Sequence, residues 1–253
     1  MTATGVVVTG GASGIGRATC LALAEAGRPV AAWDVDGAGA KETADLCAAT
    51  YGVATYATEV DVRTFAAIEA AVAPTLDALG TIGGAVHAAG VATPAPIDFI
   101  DEETWDAVLD VNLRAEAFLV RALLPSLRAA NPGSAVVGIA SVEAIVGHGA
   151  VPAYCSSKAG LLGLTRSLAH RLAIDGIRVN AICPGPVDTP MMAPLLAVPD
   201  ARRSIEEHVP LKRVADPAEI GRVARFLLSD DASYVHGAAV VVDGGYTAVN
   251  PGG

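Results

Sequence analysis

Val6-Val7-Val8-Thr9-Gly10-Gly11-Ala12-Ser13-Gly14-Ile15-Gly16 is an apolar run that breaks into a glycine-rich turn and opens onto an amphipathic segment. It reads as strand, phosphate-cradling turn and helix. Glycines at 10, 14 and 16 permit positive φ, admit a ligand close to the backbone and let the new helix pack on its strand. Free N–H groups at the helix start favour an anion, and a pyrophosphate fits. Ser13 and Ile15 belong to the same cradle. The spacing is Thr-Gly-x-x-x-Gly-x-Gly, and Arg17-Ala18 stands where an ATP-binding P-loop needs Lys followed by Ser or Thr, so that reading fails. Gly11-Ala12-Ser13-Gly14-Ile15 also lacks the closing glycine of a hydrolase nucleophile elbow. A plain tight turn would explain the glycines equally well in isolation, so residues further along the chain must decide.

Working outward, apolar strand-like runs alternate with Ala/Leu-rich helical segments, the pattern of successive βαβ units: a doubly wound α/β fold with a parallel sheet of about seven strands and helices on both faces. A helix is expected over Gly14–Ala26, with Ile15, Ala18, Leu21, Ala22 and Ala26 on its inner face and Gly27 as its stop. The second strand runs from Pro29 to Trp33 and is closed by Asp34, 18 residues beyond Gly16, where a carboxylate can accept hydrogen bonds from both ribose hydroxyls of an adenosine. Such a group selects NAD over NADP by repelling a 2'-phosphate, and Arg17 is the one cation near it. A third strand, Ala54–Glu59, leads to Asp61-Val62, a polar and apolar pair suited to an adenine edge and face; Asp61 also serves as a helix N-cap for a segment from Thr64 to Leu79. Gly84–Gly90 reads as a buried fourth strand with His87 packed inside it. A long helical stretch over 101–130 places Asn112 between Val111 and Leu113, where it either bonds a carbonyl or opens the helix to hold a water.

Composition agrees with one domain spanning residues 1–253. Of the 253 residues, 52% are hydrophobic, enough for a core covered on both sides. A formal net charge of -10 with no Lys/Arg cluster argues against nucleic acid or an anionic membrane as partner. Cys20, Cys47, Cys155 and Cys183 form no close pair, which fits reduced thiols rather than disulfides or zinc, and no metal cluster is visible. The N-terminal uncharged run is broken by glycines and lacks a basic leader, so it reads as neither signal peptide nor membrane span; a cytoplasmic protein is expected.

Chemistry enters with Ser134–Ile139, a fifth strand ending at Ala140-Ser141, and with a helix from about Pro152 that carries Tyr154 and Lys158. These two are i and i+4, on one helical face, where the ammonium is expected to lower the phenol's pKa and favour a phenolate near neutral pH. Such a Tyr exchanges a proton with an alkoxide or alcohol while Ser141 hydrogen-bonds the same oxygen. The structural alternatives are a strand-end cap at Ser141, a core Tyr and a solvated Lys.

Taken together, these ordered motifs resemble the short-chain dehydrogenase/reductase family over almost the whole chain. Thr9–Gly16 is similar to its cofactor loop, Asn112, Ser141, Tyr154 and Lys158 match its catalytic tetrad, and Pro184-Gly185 with Thr189 matches its segment beside the nicotinamide. The resemblance implies Tyr154 as acid/base, Ser141 as oxygen stabiliser, Lys158 as ribose-binding cation and Asn112 as holder of a relay water. It implies that Val187 and Thr189 bind the nicotinamide carboxamide, and that Ala89-Gly90 keep a tight approach to the cofactor. Where the family commonly carries Asn-Asn-Ala-Gly, this chain has His87-Ala88-Ala89-Gly90, and His87 is expected to replace one of the lost amides. Ser13 stands where NADP-dependent relatives often have Arg or Lys, in agreement with Asp34. A homotetramer is the family's default.

After a sixth strand over Ile177–Ile182, the Pro- and Met-rich stretch 184–210 reads as a long irregular insertion, a substrate lid over 186–212 in the family's terms. Met191, Met192, Leu195 and Leu196 would offer substrate an adaptable apolar wall, with Glu143 and His148 as further candidates facing it. Asp216-Pro217-Ala218-Glu219 starts a helix to about Leu228, and Ala238–Val242 is the last strand. The expected function is NAD-linked interconversion of a secondary alcohol and a ketone. An NADPH-dependent 3-oxoacyl-thioester reductase is the alternative within the enzyme class, and a nucleotide-sensing protein on the same fold the alternative outside it.

Overall fold

The computed structural model describes residues 4–249. Its centre is β1 (Gly5–Thr9), whose five residues are all buried because the strand is covered on both faces, as a continuous Val run requires. The seven-stranded sheet has the order β3-β2-β1-β4-β5-β6-β7 with every neighbouring pair parallel, where β2 is Val30–Asp34, β3 Thr55–Glu59, β4 Ile82–His87, β5 Ala135–Ile139, β6 Arg178–Pro184 and β7 Ala239–Val242. Strand order reverses between β1 and β4, so the carboxyl ends of these two strands open a crevice, the place where such sheets take ligands.

One face of the sheet is covered by α1 (Gly14–Glu25), α2 (Gly37–Tyr51) and α9 (Pro217–Leu227), which meet Val6, Val8 and Val137 through Cys20, Leu23, Ala40, Cys47, Ile220 and Leu227. The other is covered by α3 (Phe65–Leu79), α5 (Ala115–Ala129) and α6 (Pro152–Leu172). In α5, Leu119, Leu123 and Leu127 recur at helical spacing and are all but fully buried, each contributing roughly 2 kcal/mol of apolar burial.

Several expected boundaries shift. The buried stripe of α1 is Gly16, Thr19, Cys20, Ala22, Leu23 and Ala24; of the expected inner face Ala22 is buried, Ile15 and Leu21 pack half-buried against the core, Ala18 is half-buried and Ala26 is exposed. On the Ala18 side α9 packs closely, and a Cβ on Gly221 would lie 2.7 Å from the Ala18 carbonyl oxygen. Strand four begins at Ile82 and ends at His87, leaving Ala88–Gly90 outside the strand as loop. Asp61 does not cap α3; its carboxylate is bound by the backbone and side chain of Arg63, and Thr64 occupies the N-cap position. The stretch after residue 184 contains two helices, α7 (Ala193–Leu196) and α8 (Pro199–His208), rather than irregular chain. The expected long helix over 101–130 is α4 (Glu102–Leu109) and α5, joined by a π-helical turn at Asp110–Arg114. At α9 the complete capping box is present, with Asp216 and Glu219 each bonding the other's backbone N–H.

Candidate active site

The glycine turn after β1 is a cradle that side chains would fill. Gly10 takes φ of 68°, and a Cβ on it would lie 2.7 Å from the backbone N of Ala89, while one on Gly16 would collide with the Gly10 carbonyl. Gly14, at φ of 50°, leaves space bordered by Thr189 Cγ2, 3.3 Å from where its Cβ would sit. The loop after β6 thus returns to the start of α1. Ser13 is the N-cap of α1 but makes no side-chain cap bond, so first-turn N–H groups stay free for an anion. Asp34, at the end of β2, accepts from the backbone N of Ala12 at 3.0 Å and of Asp36 at 2.9 Å. Its carboxylate is therefore fixed at the mouth of the turn with lone pairs to spare. Arg17, the nearby cation, is held by Glu42 at 3.0 Å. These features fit the pyrophosphate and adenosine ribose of a dinucleotide: bare backbone donors for one, a fixed acceptor for the other. Val62 packs into the core beside Val60 and Ile68, with Asp61 near the surface.

Across the crevice the floor is polar and buried. His87 lies opposite Thr9 in the β1–β4 register, its Nδ1 2.9 Å from Thr9 Oγ1 and its Nε2 3.0 Å from the Val111 carbonyl. Burial and the neighbouring Lys158 charge depress its pKa to about 3, so the ring is neutral. It ties the sheet to the π-helical turn, the tethering that the sequence led us to expect of it. In that turn the Asn112 Oδ1 accepts from Val91 N at 2.8 Å, and its Nδ2 donates to the Val91 carbonyl at 2.9 Å and to Ser157 Oγ at 3.0 Å. The widened turn lets one side chain clamp the loop after β4 to α6, with both of its donor hydrogens on protein oxygens. Gly90 borders Asn112 Oδ1 and Lys158 Nζ, 3.4 and 3.5 Å from its would-be Cβ.

Ser141, Tyr154 and Lys158 converge at the end of β5. Burial dominates at Tyr154 and pushes the phenol up to about 12, while the nearby Ser141 pulls in the opposite direction. Lys158 Nζ sits 5.5 Å from the Tyr154 ring centroid and donates to the Ile139 carbonyl at 2.7 Å. Burial pushes this amine down to about 8. The expected direct acidification of the phenol by the ammonium is thus overturned: desolvation raises the one pKa and lowers the other, and the amine is tied to the strand. The Ser141 hydroxyl donates to Glu143 Oε2 at 3.3 Å and accepts from the Glu143 backbone N at 3.2 Å, so Glu143 borders the same spot.

Pro184 ends β6, Gly185 packs against Asp243, and Val187 is buried and bridged to Ala215, which anchors the loop carrying Thr189. Met191 is exposed and Met192 half-buried at the start of the α7–α8 segment. His148 lies on an exposed loop, its Nδ1 accepting from the Ala150 backbone at 3.3 Å. Sequence reasoning missed Glu116 and Ser157. Glu116 was findable: it shares a helical stripe with Leu119, Val120 and Leu123, where only buried residues belong. Among the described residues no His, Cys, Asp and Glu group is placed to hold a metal ion, and no helix is long and apolar enough to cross a membrane.

A sequence model of the family described as enoyl-(acyl carrier protein) reductase matches residues 10–247. Among curated proteins, cis-4-hydroxycyclohexanecarboxylate dehydrogenase of Sinomonas cyclohexanicum is 40% identical, covering 96% of each chain. A crystal structure described as a short-chain alcohol dehydrogenase from Sinorhizobium meliloti 1021 superposes with a TM-score of 0.93 at 36% identity, covering 99% of this chain and 98% of that one. Another, described as a 2-deoxy-D-gluconate 3-dehydrogenase from Agrobacterium tumefaciens with bound NADP, gives 0.87 at 36% identity over 97% of both chains. With the glycine cradle, the Ser141–Tyr154–Lys158 convergence and these full-length likenesses all in agreement, the chain belongs to the short-chain dehydrogenase/reductase family, as an NAD(P)-dependent alcohol/ketone oxidoreductase.

Proposed function

We propose that the protein interconverts a secondary alcohol and a ketone with NAD, using Tyr154 as general acid/base. The observation that carries this reading is the convergence of Ser141, Tyr154 and Lys158 at the crevice, with Lys158 Nζ 5.5 Å from the Tyr154 ring centroid and fixed on the Ile139 carbonyl. Bound nicotinamide would supply the hydride acceptor or donor. Gly10, Ser13, Gly14, Ile15 and Gly16 would hold its pyrophosphate, Asp34 and Lys158 its riboses, Asp61 and Val62 its adenine, and Pro184, Gly185, Val187 and Thr189 its carboxamide end, with Ala89 and Gly90 as the floor. A phenol that keeps its proton at neutral pH is ready to donate to a developing alkoxide. Ser141 shares the charge on that oxygen, and Asn112 keeps the Val91 loop and α6 in register.

NAD rather than NADP follows from Asp34, whose charge opposes a 2'-phosphate while Arg17 is spent on Glu42. The candidate substrate wall is apolar: Met191, Leu195, Ile145, Val146 and Val91 are all exposed, and the Ala95 N–H bond to the Ala150 carbonyl joins two loops of that rim. Glu143 and His148 are its polar members, and residues 186–212 would form the lid. This favours a compact, largely apolar alcohol, in line with the alicyclic substrate that names the Sinomonas relative. The acyl-thioester alternative draws on the enoyl-(acyl carrier protein) description of the matching family. Arg202 and Arg203, the cations that could meet a phosphorylated carrier, are instead paired with Glu206 and Asp200. A homotetramer in the cytoplasm is part of the same proposal, supported by an exposed apolar edge at β7, where Val241 is 42% exposed, and by free cysteines at 20, 47, 155 and 183.

The test is a panel of cyclic and acyclic secondary alcohols, sugars and hydroxyacyl thioesters, followed by reduced-nicotinamide absorbance with NAD and with NADP. Alicyclic alcohols with NAD should respond best. A kinetic preference for NADPH with 3-oxoacyl thioesters would replace this reading with the alternative.

A further inference from the structure

Glu116 takes no part in the proposed chemistry. It lies in the first turn of α5, is fully buried, and neither of its carboxylate oxygens has a hydrogen-bond partner among the described residues. A carboxyl group in that position costs several kcal/mol unless it is protonated or faces a positive charge. The geometry supplies the charge. A Cβ on Gly138 would lie 2.7 Å from both Glu116 oxygens, and the next residue along β5, Ile139, is the one whose carbonyl binds Lys158 Nζ. Carboxyl and amine therefore abut successive residues of one strand, and the glycine at 138 is what makes room: any side chain there would also meet Leu161 at 2.8 Å.

We propose that Glu116 is a positioning residue that supplies the internal counter-charge for Lys158, holding that amine protonated to higher pH than burial alone would allow and so setting the charge beside Tyr154. The consequence for catalysis rests on the proposed roles of Tyr154 and Lys158. Burial pushes the Glu116 carboxyl up to about 8, with Lys158 pulling it back, while Glu116 is the foremost group raising the Lys158 amine against its own desolvation. The two lose protons as a pair: as pH rises the carboxyl gives up its proton to solvent, and the resulting carboxylate keeps the ammonium charged. The other ionisable groups around them are His87 on β4, neutral at ordinary pH, Cys183 on β6, whose thiol is pushed up by burial, and Tyr154. Strand β5 contributes only apolar residues and glycine, while Glu69 and Asp77 on α3 and Arg114 and Arg121 beside Glu116 are exposed to solvent.

The experiment is an NMR titration of the lysine ε-carbons in the protein without added cofactor, with Lys158→Met assigning the signal. In Glu116→Gln the Lys158 midpoint should fall by roughly one pH unit, the size expected for loss of a nearby opposite charge. An unchanged midpoint overturns the proposal. Coupling is reciprocal, so infrared titration of the Glu116 carboxyl should show its midpoint rising in Lys158→Met. A carboxyl indifferent to that change overturns the proposal equally, even if Glu116→Gln fails to fold. Ketone reduction by Glu116→Gln should lose activity on the alkaline side at lower pH than wild type. Coupled midpoints in a protein that reduces no ketone would leave the pairing standing and sink the proposed function instead.

Discussion

The two walls of the crevice are built on opposite principles. The turn after β1 works by leaving side chains out: Gly10, Gly14 and Gly16 expose backbone donors, and the one charged side chain it needs, Asp34, is held by backbone N–H groups at a strand end. The wall behind β4, β5 and α6 works by burying side chains that water would normally claim: His87, Asn112, Glu116 and Lys158. The second wall is made of groups whose charge depends on one another, and this is where the proposed proton chemistry would lie.

The strongest way to separate the walls is Tyr154→Phe, which should lower turnover by about a thousandfold, the scale of a lost general acid, while NAD affinity measured by calorimetry stays within a few-fold. A parallel collapse of cofactor binding would show that the walls are not independent. Next is Gly10→Ala, whose Cβ would meet the Ala89 backbone at a positive φ; it should cost about 3 kcal/mol of stability in chemical denaturation and weaken dinucleotide binding. A variant as stable as wild type would mean the cradle has slack.

His87→Asn sharpens the contrast through pH. The folded pKa of His87 is depressed from 6.5 to about 3, so its neutral ring is fully accommodated above 6.5, and stability falls as the unfolded chain takes up a proton on acidification. Relative to this variant, wild type should lose about 2 kcal/mol between neutral pH and about pH 5, read as denaturation midpoints at the two pH values. Parallel pH curves would place the acid sensitivity elsewhere. The smallest effect is expected on the glycine side: Asp34→Ser should improve use of NADP relative to NAD by about tenfold in kcat/KM, as a like charge is removed. No change there would take Asp34 out of cofactor choice.

The first wall was legible in the sequence because its signals are local. Glycine spacing, the Asp at a strand end and the Asp216–Glu219 cap each act within a few residues, and the structure has the glycine turn, the strand-end carboxylate and the capping box where the sequence pointed. The second wall was half legible. Asn112, Ser141, Tyr154 and Lys158 were found by order and spacing, and His87 was expected to stand in for an amide. Their electrostatics were misread, because i and i+4 spacing says that Tyr154 and Lys158 share a face but not that both are desolvated, nor that the amine is bound by Ile139. The π-helical turn at Asp110–Arg114 also escaped: it carries the Asn112 clamp to Val91 and Ser157, which joins residues far apart in sequence.

Sequence by itself determined the alternation of strands and helices, the parallel sheet, the glycine turn proposed to cradle a dinucleotide and the placement of the side chains proposed to react, because periodicity and turn chemistry act through neighbours along the chain. Tertiary structure alone decided how deeply each face of α1 is buried, the two helices after residue 184, the partners His87 ties together and the company Glu116 keeps. The charge state of a buried group depends on how far water is excluded and on which charges lie across the fold, and contacts such as Gly138 against Glu116 join residues that the chain holds far apart in sequence.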